Sequence, residues 1–270
     1  MLKVSKIAFI GGGNMAEAIM LGLMREEVGA DICVAEISPK RRDEITARFP
    51  HVRVVEDAPE AGRWGEVIIL AVKPQQAAGV LDLLEPVITT DKLVISIMAG
   101  IQISKIEENL MPGCRVVRVM PNMPALIGAG ATAVCVGRKA IDGDLDLVRQ
   151  IFALIGSTVC VEEKQMDAVT ALSASGPAYV FTFIEALSDA GVKNGLPRDV
   201  AAQLAVQTVL GSARMVIETG EHPALLKERV TSPGGTTIAG LHALENGSFR
   251  GVIMDAVEAA CRKSKELARK

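Results

Sequence analysis

Short apolar runs recur along the first part of the chain, at residues 7–10, 32–35, 52–55, 67–72, 93–97, 116–120, 131–136 and 158–161. Each is rich in β-branched residues and bounded by Gly, Pro or charge, the pattern of buried strands. Between several of them lie stretches with helical spacing, at 15–26, 40–49, 75–84 and 145–155. Strand and helix in alternation predict an α/β domain over residues 1–162 with a doubly wound, mainly parallel sheet. From residue 163 to 270 the strand-like runs stop and long helical patterns take over, punctuated by Pro177 and by 191–197. Phe249, Val252, Ile253, Ala256, Val257 and Ala260 recur at helical spacing, with Ser248 ahead of them as an expected N-cap. The stretch 199–217 carries Val200, Leu204, Val206, Val209, Leu210, Met215 and Val216 on nearly every face. A helix apolar all round must be covered all round. So small a domain offers few such positions, and the cover is read as a second subunit, with an internal core helix as the alternative.

Composition narrows the classes. At 270 residues two domains are the default, and 49% hydrophobic against 23% charged residues rules out a disordered chain. A net charge of −3 leaves no basic excess for neutralising phosphates, and 3% aromatics gives no base-stacking platform, so no nucleic-acid partner is expected. Cys33, Cys114, Cys135, Cys160 and Cys261 form no C-x-x-C pair, and His51, His222 and His242 stand apart from them. No metal site is expected, and the odd count reads as free thiols in a reducing compartment. Residues 1–10 hold only a short apolar run, too little for a secretory signal. The least polar window, 168–187, is interrupted by Ser173, Ser175, Gly176, Pro177 and Glu185, so no membrane span is expected and the cytoplasm is the default location.

The first strand runs through Ile10 into Gly11-Gly12-Gly13-Asn14-Met15-Ala16, a G-x-G-x-x-A pattern between strand and helix. Gly11 permits the tight turn, Gly13 lets backbone approach a pyrophosphate, and Ala16 lets the helix pack close. A Rossmann-like dinucleotide site follows. Glu36 ends the second strand, where an acid holds the ribose hydroxyls and repels a 2′-phosphate, a lean toward NADH over NADPH. Ser38, Lys40, Arg41 and Arg42 come next, either as ligands of a 2′-phosphate or as a solvated helix start. Two loops follow strands on the same side, Ala71-Val72-Lys73-Pro74 and Met98-Ala99-Gly100, and suit a nicotinamide riboside lying close to backbone. Pro121, Asn122 and Pro124 fix a third loop, whose carbonyls and Asn122 amide are expected to be free to dock a carboxamide.

A second glycine loop, Ser232-Pro233-Gly234-Gly235-Thr236-Thr237, precedes a helical pattern. Capping one helix takes one hydroxyl; three hydroxyls and two glycines read as a cradle for a carboxylate or phosphate. The stretch 173–179, which includes Ser175, has the same texture and is read as starting a helix at Pro177. Oxidation of a hydroxy acid needs a general base, usually His or Lys. No His lies in these loops, and no Lys lies in 173–187. An imine substrate removes that demand, since it can arrive protonated and needs only to be held in line with a hydride donor.

The stretches 9–16, 71–74, 96–100, 120–124, 175–181, 221–223 and 232–238 resemble those of pyrroline-5-carboxylate reductases, in the same order from end to end. The resemblance implies reduction of 1-pyrroline-5-carboxylate to L-proline by NAD(P)H, the last step of proline biosynthesis. It implies an all-α C-terminal dimerisation domain that interlocks a homodimer, sometimes within rings of dimers. It places the substrate carboxylate on Gly234, Gly235, Thr236 and Thr237, with Thr237 at the ring nitrogen as the catalytic contact; Ser232 and Ser175 join the substrate set. Relatives that favour NADPH often carry small hydroxyl residues where this chain has Glu36 and Ile37. A β-hydroxy-acid dehydrogenase on the same fold and a non-catalytic cofactor-binding regulator are the alternatives.

Overall fold

The computed structural model describes residues 4–26 and 29–268. Residues 1–3, the start of the segment read as lacking a leader, lie outside the described residues.

All eight apolar runs are strands: β1 (Lys6–Ile10), β2 (Asp31–Ala35), β3 (Arg53–Val55), β4 (Val67–Leu70), β5 (Leu93–Ser96), β6 (Arg115–Met120), β7 (Gly130–Val136) and β8 (Gly156–Cys160). They form one sheet in the order β3-β2-β1-β4-β5-β6-β7-β8. Every neighbouring pair is parallel except β6 with β7. Residues 121–129 join those two through a single 3₁₀ turn, Met123–Ile127, too short for a parallel crossover.

The strands read as continuous apolar runs because both sheet faces are covered. Successive side chains point to opposite faces. Ile7 and Phe9 enter one core, with Ile19 and Met20 of α1 (Asn14–Arg25), Ile45 of α2 (Pro39–Arg48) and Phe152 of α6 (Asp142–Ala153). Ala8 and Ile10 enter the other, with Ala61 of α3 (Ala58–Trp64), Leu81 of α4 (Ala77–Leu84) and Ile106 of α5 (Ile103–Glu108). The short helices α3 and α5 escape sequence reading, since neither completes two turns of apolar spacing.

Helices begin after residue 162 as expected, but the first compact unit does not end there. It comprises residues 4–175 with 260–268, and the second comprises 176–259. Hydrogen bonds tie the first of the extra residues to the sheet domain and the two extra segments to each other. Glu163 accepts from Ile103 N–H at 2.7 Å and from Arg118 on β6 at 3.2 Å. Ser264 donates to Asp167 at 2.6 Å.

Nor does a helix start at Pro177. The coil opens as α7 (Met166–Val169), widens into a π turn over Thr170–Ala174, and continues as α8 (Gly176–Lys193). Ser175 N–H bonds the Thr170 carbonyl at 2.9 Å, five residues back. Pro177 has no N–H to give the Ser173 carbonyl. Asn122 Nδ2 fills that gap at 3.2 Å.

The second unit holds α8, α9 (Arg198–Thr219), α10 (Pro223–Arg229), α11 (Thr236–Asn246) and the first part of α12 (Phe249–Ala268). Ser248 is not a side-chain cap. It takes a left-handed φ of 54° between α11 and α12, and its carbonyl accepts from Val252 N–H. On α9 the buried residues are Ala201 and Ala205. Leu204, Leu210 and Ile217 are 53%, 49% and 79% exposed, so α9 is no core helix of a single chain. By length and composition alone α9 would suffice to cross a membrane.

Candidate active site

The sheet order reverses between β1 and β4, because β2 adds outside β1 while β5 adds outside β4. Their following loops therefore part, and a crevice opens beyond the strand ends. Gly11 makes the turn at φ 98°, donating its N–H to the Ala35 carbonyl at 2.8 Å. A Cβ there would lie 2.8 Å from the Ala71 carbonyl oxygen, which joins the first loop to the loop after β4. A Cβ on Gly12 would strike Ile45 at 2.3 Å, so the loop lies flat on α2. A Cβ on Gly13 would meet nothing within 4 Å. That open volume faces the α1 N-terminus, whose N-cap, Gly13, offers no side-chain cap. The N–H groups of Asn14, Met15 and Ala16 are left without helical partners. Open space, unpaired donors and a positive dipole end fit a pyrophosphate. Ile10 and Ala16 support the loop from the cores below.

Glu36 follows β2 directly. Its carboxylate accepts Gly12 N–H at 3.0 Å and Ser38 N–H at 2.9 Å. Arg41 and Arg42 do not open a solvated helix. Arg41 Nε donates to the Gly12 carbonyl at 2.7 Å, and its other nitrogens pair with Glu17 and Glu44. Arg42 donates to the Glu36 and Ile37 carbonyls and pairs with Glu56. Sequence reading missed Arg41 as the clamp on the glycine loop and Glu17 as its buried partner. An acid on α1 facing a base on α2 leaves no short-range signal.

The loops after β4 and β5 meet in a cavity of about 520 Å³ within the first unit, lined by Pro74, Ala99, Gly100, Thr170 and Ser175. Ser175 is thus brought beside two of the expected cofactor loops. Lys73 is exposed at the loop's rim, and Val72 is half-buried. The Met98 side chain is buried in the core, which leaves its backbone for the loop. Asn122 corrects an expectation. Its Nδ2 donates to Ser173, its Oδ1 accepts Ala131 N–H at 2.8 Å, and no free amide remains to dock a carboxamide. Pro121 is buried and Pro124 half-buried beside it.

In the helical unit, Ser232–Gly235 is a turn closed by Gly235 N–H on the Ser232 carbonyl at 3.0 Å. Pro233 takes the second position and Gly234, at φ 67°, the third, the arrangement of a type II turn. A Cβ on Gly235 would lie 2.2 Å from Ser232 Oγ, so a side chain there would turn the Ser232 hydroxyl out of its present position. Gly235 is the N-cap of α11, and no side chain caps that helix. The N–H groups of Thr236, Thr237 and Ile238 stay open to a ligand, with the Thr236 and Thr237 hydroxyls beside them. Of the histidines in this unit, His222 Nδ1 caps α10 by accepting Ala224 N–H, and His242 contacts Asn246. Among the described residues no His, Cys, Asp and Glu cluster could hold a metal ion.

A reversing parallel sheet, a glycine loop at its switch point and an acid at the end of β2 define a dinucleotide-binding oxidoreductase. Comparison with known proteins narrows the class. Residues 163–267 match the pyrroline-5-carboxylate reductase dimerisation family, and 6–100 match the coenzyme F420-dependent NADP oxidoreductase family. A pyrroline-5-carboxylate reductase of Synechocystis is 47% identical, covering 98% of this chain and 99% of that protein. The reductase of Coxiella burnetii superposes with a TM-score of 0.92 at 38% identity, over 98% of this chain and 99% of the other. That of Plasmodium falciparum, solved with NADP bound, gives 0.88 at 37% identity over 99% of both chains. The chain belongs to the pyrroline-5-carboxylate reductase family. These relatives do not favour the hydroxy-acid dehydrogenase alternative.

Proposed function

We propose that this chain reduces 1-pyrroline-5-carboxylate to L-proline with NAD(P)H. The observation that carries the reading is the uncapped α11 N-terminus behind a glycine turn, in a chain whose other glycine loop fits a pyrophosphate. Gly234, Gly235, Thr236 and Thr237, with Ser232, hold the ring carboxylate on backbone N–H groups. Thr237 hydrogen-bonds the ring nitrogen. Ile10–Ala16 cradle the cofactor pyrophosphate, Glu36 the ribose, and Ala71–Pro74, Met98–Gly100 and the 121–124 loop line its nicotinamide end. A reduced nicotinamide supplies a hydride to the imine carbon. The C=N π pair moves to nitrogen, which keeps the proton it brought, so no His or Lys base is required. Ser175, beside Pro74 and Gly100, borders the place where the ring is reduced. The working form is a homodimer joined through the helical unit, with rings of dimers as a further level of assembly. The proposed location is the cytoplasm, where the five free thiols stay reduced.

Absorbance loss of NADH or NADPH on adding pyrroline carboxylate tests the reading directly, and oxidation of neither would overturn it. Thr237→Ala is expected to lower kcat/KM by about 1–3 kcal/mol, the cost of leaving a buried polar partner unpaired. An unchanged value would remove Thr237 from the reaction.

A further inference from the structure

We propose that Glu36 makes this site selective for NADH, by filling with its own carboxylate the anion position that a 2′-phosphate would need. This rests on the glycine loop being the cofactor site. Both carboxylate oxygens are held by backbone: Oε2 by Gly12 N–H at 3.0 Å and Oε1 by Ser38 N–H at 2.9 Å. Ser38 is the N-cap of α2, so the carboxylate sits at the positive end of that helix, where a phosphate would otherwise be drawn. A 2′-phosphate would have to displace this carboxylate or accept its repulsion. A ribose with free hydroxyls faces neither cost. Each carboxylate oxygen uses one backbone donor and keeps capacity to accept a hydroxyl.

The arginines that could answer a 2′-phosphate are committed elsewhere. Arg41 holds the Gly12 carbonyl at 2.7 Å, Glu17 at 2.5 Å and Glu44 at 3.0 Å. The Glu17 bond raises the Arg41 pKa further, so this cation stays charged and paired. Arg42 binds the Glu36 and Ile37 carbonyls at 2.9 and 3.0 Å and Glu56 at 3.1 Å. Glu17 also pairs with Arg48. Glu17, Glu44 and Glu56 thus take up Arg41, Arg42 and Arg48, and the neighbouring Lys40 side chain is exposed to solvent. The Gly12 peptide is gripped at both ends, its N–H by Glu36 and its carbonyl by Arg41. Arg41 is thus a positioning residue for the loop that both cofactors share, not a phosphate ligand.

The test is direct binding to the full chain without substrate, read from the fluorescence of reduced nicotinamide as NADH or NADPH is titrated. Wild type is expected to bind NADH at least about tenfold more tightly. Glu36→Gln, which removes the charge and keeps the shape, and Glu36→Ser, which uncovers both amides, are each expected to narrow that ratio by about fivefold or more through tighter NADPH binding. Arg41→Gln is expected to weaken both cofactors by a similar factor. Equal or tighter NADPH binding by wild type would overturn the proposal, as would an unchanged ratio in both Glu36 variants or a loss of NADPH alone in Arg41→Gln. Binding of neither cofactor would overturn the site itself. Normal binding without turnover of pyrroline carboxylate would fault the substrate assignment and leave the selectivity standing.

Discussion

Asn122 ties two distant stretches together: its donor meets the carbonyl that Pro177 leaves free and the Ser173 hydroxyl, and its acceptor holds Ala131 at the start of β7. Asn122→Ala would remove one part-buried and one exposed hydrogen bond, together costing about 1–3 kcal/mol. Denaturant unfolding should show a fall in that range, whereas an unchanged midpoint would mean water replaces the amide freely. The thiols give a second expectation at this scale. Burial pushes Cys33 and Cys135 up to about 11, which leaves roughly one thiolate in a thousand at pH 8, while Cys160 is exposed. A disulfide reagent at pH 8 should therefore modify Cys160 quickly and leave Cys33 and Cys135 untouched until the chain unfolds. Fast loss of all five thiols in the native protein would contradict the packing. Neither Asn122 nor Arg41 could be read correctly from the chain alone. The deciding partners, Ser173 for Asn122 and Gly12 and Glu17 for Arg41, lie 51 and 24–29 residues away, and nothing local marks a carbonyl that a distant proline will free.

Elements were far more legible than contacts. All eight strands stand where short β-branched runs are bounded by Gly, Pro or charge, because burial on both faces makes such runs continuous. The two glycine loops were legible for the same reason: each needs a residue type that only one backbone geometry demands. What sequence texture hid was the seam at 162. Helix begins there, but Glu163 and Ser173 bind back to loops and strands of the sheet unit, and texture reports secondary structure rather than allegiance. The pairing of α8 with α9 is set by small residues. A Cβ placed on Gly191 would stand 3.0 Å from the Ala201 Cβ, already a tight contact. Gly191→Val adds two methyls to that contact and should destabilise the helical unit by about 1–3 kcal/mol. Thermal unfolding would register the loss, and an unaltered transition would show that α8 and α9 part without cost.

For the molecule as a whole, the decisive surface is the uncovered side of α9. Val206, Leu210 and Ile217 fall on one stripe of the helix and are 50%, 49% and 79% exposed. Val180 and Phe181 on α8 add to the exposed apolar surface of the same unit. An exposed apolar stripe of this length is not left to water in a stable protein. A membrane helix would satisfy it as well as a partner would, and α9 passes that test by length. The family match over 163–267 favours the partner, since the matched region is a dimerisation region. A charge on the stripe separates these states. Leu210→Glu should shift sedimentation from dimer to monomer at micromolar concentration, because burying one unpaired carboxylate in each copy costs several kcal/mol. Activity should fall with the dimer if a helical unit of one copy must complete the site of the other. A variant that stays dimeric would place the interface elsewhere. A fully active monomer would confine the whole reaction to one chain.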